Sequence, residues 1–253
     1  MKKRQAELTY RKVKQIDKFT KQLLKNKQLQ PAFYITLLQL QKDTNAALSF
    51  WNSVRNNKTQ KNKPEVASSD KLQIGGGKRY MHGFVNLDIF PPADIIWDSR
   101  YGLPFQKDTF SFIFSEHFLE HLDFPISVNC VLQEIYRILK PSGKVVIGVP
   151  DGGKVIKAYG ERNKKFLHKL RQQAYNRRQL PIETYSDIDL VNYLFRDQLE
   201  NPNYTIHYWA YDKNSLENIL RSVGFKKVEK YPFNPLYCNP KRKFFTLYLQ
   251  AAK

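Results

Sequence analysis

Lys71-Leu72-Gln73-Ile74-Gly75-Gly76-Gly77 is a short apolar run that enters three consecutive glycines. A buried strand ends this way when the loop that follows must bring its backbone close to something else, because glycine reaches positive φ at no steric cost. Val85-Asn86-Leu87-Asp88 then reads as a second short strand closing on a carboxylate. Strand, glycine loop, strand and terminal acid is the order of a nucleotide-binding α/β unit, in which backbone N–H groups hold the cofactor and the acid accepts from ribose hydroxyls. Read alone, three glycines fit a tight turn in a sheet protein equally well. The chain downstream decides between the two.

Ala93 to Asp98 gives a third strand that again ends in an acid, and Phe110-Ser111-Phe112-Ile113-Phe114 a fourth whose near-continuous apolar run suits burial on both faces. At its end stands Ser115-Glu116-His117-Phe118-Leu119-Glu120-His121. Val128 to Lys140 carries Val131, Leu132, Ile135, Ile138 and Leu139 on one helical face, stopped by Pro141-Ser142-Gly143, and Lys144 to Val149 makes a fifth strand before Pro150-Asp151. Strands alternating with helices specify a parallel sheet whose carboxyl edge carries the ligand. Residues 213–223 read as a helix capped by Gly224, residues 227–231 as a strand and residues 244–250 as the last strand. Residues 152–206 form an insertion, basic in its first half and acidic in its second, which fits a solvated helix with a self-complementary loop or an anion-binding lid.

The chain of 253 residues can bury a full core without disulfides or metal. Its two cysteines, Cys130 and Cys238, lie far apart with no CxxC or Cys/His cluster, which argues against a disulfide scaffold and a zinc site. No run of about 18 apolar residues is present for a membrane span, and the charged N-terminus lacks the apolar core of a secretory signal. A cytoplasmic protein is the expectation.

The net charge of +19 is uneven, with +12 in residues 1–64 and +7 in the rest. Residues 4–27 and 32–55 read as two amphipathic helices around Pro31, the first with Leu8, Val13, Ile16, Phe19, Leu23 and Leu24 as its apolar positions. Such a hairpin can pack on or lid the main domain, join copies into a homo-oligomer, or meet an anionic surface. Asn56 to Asp70 is Lys/Asn/Pro/Ser-rich and reads as a linker, so the domains are expected to be 1–64, a basic helical hairpin with its linker, and 65–253.

Residues 71–151 resemble a class I S-adenosylmethionine-dependent methyltransferase of the small-molecule and quinone methyltransferase group (methyltransferase type 11-like). The matching words, in order, are Leu72 to Gly77; Asn86-Leu87-Asp88; Asp98 with Leu103-Pro104-Phe105; Phe112-Ile113 with Ser115 to His121; and Glu134 to Lys144. The resemblance implies a Rossmann-like seven-stranded, mostly parallel sheet with the last strand antiparallel. It also implies that Gly75, Gly76 and Gly77 approach the methionine portion of the cofactor, that Asp88 and Ile89 lie at the ribose, that Asp98 and Ser99 lie at the adenine edge, and that Ser115, Glu116 and His117 sit beneath the sulfonium. The chain departs from the family pattern at Gln73, where an acid is usual, and at Arg79, where a small residue is usual. Only ten residues separate Gly77 from Asp88, so the first crossover has to be a loop or a single turn.

A nicotinamide dinucleotide site fits less well, since its fingerprint wants a glycine where Tyr80 stands and an acid about 20 residues on. For a hydroxyl acceptor the candidate general bases are His117, then His207, then Asp151; the competing reading of His117 is a hydrogen-bonding floor to the pocket, and His121 reads as structural. No Asn/Asp-Pro-Pro-Tyr/Phe word follows the fourth strand, which argues against nucleobase amino methylation, and neither cysteine is placed for a covalent pyrimidine mechanism. The expected acceptor is a small molecule or a glycan-like compound, with O-methylation ahead of N- or C-methylation. The alternatives are an RNA- or protein-directed methyltransferase docking through the basic hairpin, with nucleic acid not favoured, and a non-catalytic methyltransferase-like binding subunit.

Overall fold

The computed structural model describes residues 2–26, 28–30, 32–34, 36–38, 40–41, 43–44, 47–48, 69–175, 186–196 and 207–253. The chain divides into two compact units, Met1–Lys63 with Asn201–Thr205 and Pro64–Glu200 with Ile206–Lys253.

In the first unit, α1 (Lys2–Leu23) is the first expected helix. Of its expected apolar stripe, Leu8, Ile16 and Phe19 are exposed, while Asp17 and Thr20 are buried. Thr20 donates its hydroxyl to the Ile16 carbonyl at 2.8 Å, and Lys21 pairs with Asp17 at 2.8 Å, so the buried polar face is partly satisfied within the helix. The second expected helix appears at the described positions 32–48. Its remainder, and all of the expected linker except Ser69 and Asp70, lie outside the described residues. No helix among the described residues is long and apolar enough to cross a membrane.

The second unit is built on seven strands: β1 (Lys71–Ile74), β2 (Val85–Asp88), β3 (Ile95–Ile96), β4 (Phe110–Glu116), β5 (Leu139–Pro150), β6 (Lys226–Lys230) and β7 (Thr246–Ala252). They lie in the order β3-β2-β1-β4-β5-β7-β6. β1 runs parallel to β2 and β4, and β4 to β5, whereas β7 is antiparallel to both of its neighbours. The implied seven-stranded, mostly parallel sheet with an antiparallel last strand is the one formed. No helix links β1 to β2; the short span predicted a loop or a single turn, and residues 75–84 are turns and irregular chain.

The central strands are buried on both faces, with Leu72, Ile74, Ile113, Phe114, Val145, Val146, Ile147 and Val149 at most 1% exposed. α2 (Ile126–Ile138) turns Val128, Val131, Leu132, Ile135 and Ile138 into the core. It ends two residues before the expected stop: the β4–β5 ladder passes from Phe110 with Leu139 to Phe112 with Lys144, so Lys140 to Gly143 loop out at a bulge, with Ser142 at φ +64°. α6 (Lys213–Val223) has a reciprocal cap, in which Asp212 accepts from the Ser215 amide at 2.7 Å and Ser215 Oγ accepts from the Asp212 amide at 3.0 Å. Gly224, at φ +112°, closes its other end.

Three helices of the insertion, α3 (Gly152–Gly160), α4 (Lys164–Tyr175) and α5 (Asp187–Arg196), share a separate apolar cluster of Val155, Ala158, Leu167, Leu170, Leu190 and Leu194. Phe245 completes that cluster. The last strand was expected from residue 244, but Phe244 and Phe245 precede it and belong to this helical core.

Candidate functional site

Strand order reverses between β1 and β4, so the crevice at their carboxyl ends is where such a sheet takes a ligand. Ile74 stands opposite Ser115, which puts the glycine loop beside Ser115 to His117. Gly75 and Gly77 adopt φ +71° and +57°, as a loop lined by backbone requires. The Gly75 amide donates to the Leu87 carbonyl at 2.9 Å and the Gly77 amide to Asp88 Oδ2 at 2.8 Å. Phe90 donates to Asp88 Oδ1 at 3.0 Å. Burial holds the Asp88 carboxyl above the ordinary carboxylate range, against the pull of these amides. Each carboxylate oxygen has acceptor capacity to spare, so the pair suits a ribose diol. Gln73 takes the position of the usual acid; its side chain lies against Gly76, and its buried Oε1 has no hydrogen-bond partner. The Ser115 hydroxyl, also buried, has none either. Unpartnered polar atoms, a positive-φ glycine loop and a strand-end acid fit the nucleoside and amino-acid parts of S-adenosylmethionine.

At the end of β3, Asp98 caps the short turn Ser99–Tyr101 and accepts from the Arg100 amide and Nε, each at 3.0 Å. Arg100 Nη2 adds a contact at 2.6 Å. The acid given to the adenine edge therefore already holds a guanidinium, with Ser99 buried beside it.

Glu116 turns its carboxylate toward the far end of the chain. It accepts from Tyr248 Oη and from the Asn239 amide at 2.9 Å, with Arg79 Nη1 at 3.5 Å and Arg242 Nη1 at 4.0 Å. Arg79, which stands where a small residue is usual, thus serves as a counter-charge. Burial, then the bond to Glu116, pushes the Tyr248 phenol far up.

His117 leaves the sheet at φ +55°, its amide on the Gly148 carbonyl at 2.7 Å. Its Nε2 is 2.9 Å from Thr246 Oγ1, which gives its own proton to the Arg242 carbonyl at 2.8 Å. The hydroxyl therefore accepts from His117, which assigns the proton to Nε2 and leaves Nδ1 with a lone pair. That Nδ1 faces Glu120 Oε1 at 3.4 Å. Burial, foremost, holds the imidazole well below its ordinary range, so the ring is neutral. Both nitrogens are turned to protein groups, and the ring lies edge-on to Phe245 at 5.4 Å.

Glu120, unremarked in the sequence, sits in the turn Leu119–His121 and is 1% exposed. Neither carboxyl oxygen has a hydrogen-bond partner, and burial pushes the group up to about 8. The His121 and His207 rings lie 4.9 Å apart beside it. His207 Nδ1 is 3.1 Å from the carbonyls of both Tyr193 and Leu194. The expected bases His117 and His207 thus come together around Glu120. Asp151 does not join them: it is the N-cap of α3, accepting from the Lys154 amide at 3.0 Å. The spacing His117-x-x-Glu120-His121 signals only the local part of the cluster and does not reach His207.

A family model described as a methyltransferase domain matches residues 40–230. No curated protein matches. Among solved structures, the chain is similar to a Methanosarcina mazei S-adenosylmethionine-dependent methyltransferase at 16% identity and a TM-score of 0.43, over 72% of this chain and 91% of that one. A Thermotoga maritima S-adenosylmethionine-dependent methyltransferase, described as a possible histamine N-methyltransferase, matches at 13% identity and 0.40, over 81% and 98%. Haemonchus contortus phosphoethanolamine N-methyltransferase 2, in complex with S-adenosylmethionine, matches at 13% and 0.40, over 77% of this chain and 51% of its own.

Proposed function

Because the chain belongs to the methyltransferase-domain family and is an S-adenosylmethionine-dependent enzyme, we propose that it methylates a hydroxyl of a small-molecule or glycan-like acceptor. S-adenosylmethionine brings a methyl group on a sulfonium that is itself a good leaving group, so the protein's task is alignment and exclusion of water. Gly75 to Gly77, Asp88, Ile89, Ser99 and Ser115 would hold the cofactor; Asp98 would do so only in competition with Arg100.

The single observation that carries the hydroxyl reading is the polar cluster in which buried Glu120 and half-buried His121, from the turn after β4, meet buried His207. Phe118 links it to the glycine loop: its ring packs against Gly75, and its neighbours in the chain are His117 and the turn that bears Glu120. Lone pairs so close to the methyl-donating end of the crevice suit an oxygen acceptor that must give up its proton as the carbon–oxygen bond forms and the carbon–sulfur bond breaks.

Incubating the purified chain with methyl-labelled S-adenosylmethionine and fractionated cell extract tests this. Label is expected in an alkali-stable ether of a small molecule or glycan. Label confined to RNA or protein would move the assignment to the docking-arm alternative, and cofactor binding without any transfer would support a binding subunit.

A further inference from the structure

Glu120 and His121 leave the same short turn after β4, while His207 arrives from beyond the insertion, and one donor atom from each lies within 4.8 Å of the others. The geometry points to a divalent transition-metal site formed by Glu120, His121 and His207.

Glu120 supplies the first argument. Its carboxyl is 1% exposed and neither oxygen accepts a hydrogen bond, whereas buried carboxylates are ordinarily paired or bound to a cation. His117 Nδ1, 3.4 Å from Oε1, belongs to a ring fixed on its other side by Thr246.

His207 supplies the second. Its Nδ1 faces two backbone carbonyls, which can only accept, so the proton sits on Nδ1 and Nε2 is the ring's acceptor nitrogen. A backbone carbonyl behind the ring is how a metal-ligating imidazole is usually held in one tautomer.

The donor set names the class of ion. Two imidazole nitrogens and one carboxylate oxygen suit zinc, manganese, iron or cobalt, rather than magnesium or calcium, which prefer all-oxygen shells. Donors at about 2.1 Å from a tetrahedral ion lie about 3.4 Å apart, so donors within 4.8 Å of one another would close by up to about 1.4 Å on binding. Three protein donors leave a position open. Glu120 also borders a narrow crevice lined by Pro150, Leu194, Trp209, Ala210 and Tyr211. What the ion would do there, polarising an acceptor hydroxyl, rests on the methyl-transfer reading; its binding does not.

The test uses the full chain, stripped with a chelator and titrated with Co²⁺, whose visible absorption reports coordination. One ion per chain is expected, displaced by Zn²⁺. Glu120→Gln and His207→Gln should each weaken binding by more than the roughly 10- to 100-fold that loss of an outer-shell partner costs. His168→Gln, at an exposed position on α4, should leave it intact. If Glu120→Gln does not fold, as judged by its thermal transition, His121→Gln stands in under the same criterion. A wild-type chain that binds neither ion, or variants that bind as tightly as wild type, would overturn the site. S-adenosylmethionine calorimetry on the same samples reports separately: loss of cofactor binding with metal binding intact would count against the methyl-transfer reading and leave the metal site standing.

Discussion

The ring of Phe118 lies so close to Gly75 that a Cβ on the glycine would sit 2.5 Å from Phe118 Cδ2. The glycine is required twice over, since its φ of +71° is also one that side chains rarely adopt. Gly75→Ala is therefore expected to lower stability by about 1–3 kcal/mol, the range for strained backbone, in chemical denaturation, and to weaken S-adenosylmethionine in calorimetry. A variant as stable as wild type, with full affinity, would show that the loop relaxes freely.

Asp88 gives a pH dependence. Its folded-state pKa is raised by burial, so the folded chain retains a proton there at a pH where the unfolded chain has lost it. Its stabilising contribution is present below the unfolded value and is lost as pH rises through the raised one. Cofactor binding runs the other way, because a ribose diol favours the ionised acceptor. Affinity should fall as pH drops through the raised value, and Asp88→Asn should abolish that dependence. Asp88→Ala is expected to lose about 1.5–3 kcal/mol of binding, as for bonds to a charged acceptor. Unchanged affinity in a folded Asp88→Ala chain would remove the residue from the site.

Glu116 was expected beneath the sulfonium, yet its carboxylate is held by Tyr248, Asn239 and two arginines. Tyr248→Phe should destabilise the fold by about 1.5–3 kcal/mol through the lost bond and leave cofactor affinity unchanged. Weakened cofactor binding without a loss of stability would return Glu116 to the cofactor's surroundings.

What was legible in the sequence follows the range of the interactions. The Leu103-Pro104-Phe105 and Glu134-to-Lys144 words lie apart in the chain, yet Glu134 accepts from the Leu103 amide at 2.7 Å while Arg137 donates to the Leu103 and Phe105 carbonyls. Such pairings tie side chains to backbone, so the pattern is tightly specified and readable. The glycine loop and Asp88 are legible for the same reason. The grouping of Glu120 and His121 with His207 was not, because it depends on where the chain returns after the insertion, and no local pattern encodes that. Periodicity also grouped Leu8, Ile16 and Phe19 on one face of α1; they are exposed, because a stripe's spacing defines a face without saying whether anything covers it.

Asp151 separates a structural role from a chemical one. Spacing after β5 made it a candidate base, whereas the structure shows its Oδ1 accepting from the Lys154 amide at 3.0 Å to cap α3. Loss of such a cap costs about 1 kcal/mol, whereas loss of a general base costs on the order of 10²- to 10⁴-fold in turnover. Asp151→Ala is expected to lower the melting temperature while turnover at saturating cofactor and acceptor changes by only a few-fold, and Asp151→Ser, which can still cap, should recover the stability. Turnover reduced by a hundredfold or more in both variants, with the Asp151→Ser chain as stable as wild type, would mean that the carboxylate itself takes part in the reaction and that the cap is incidental.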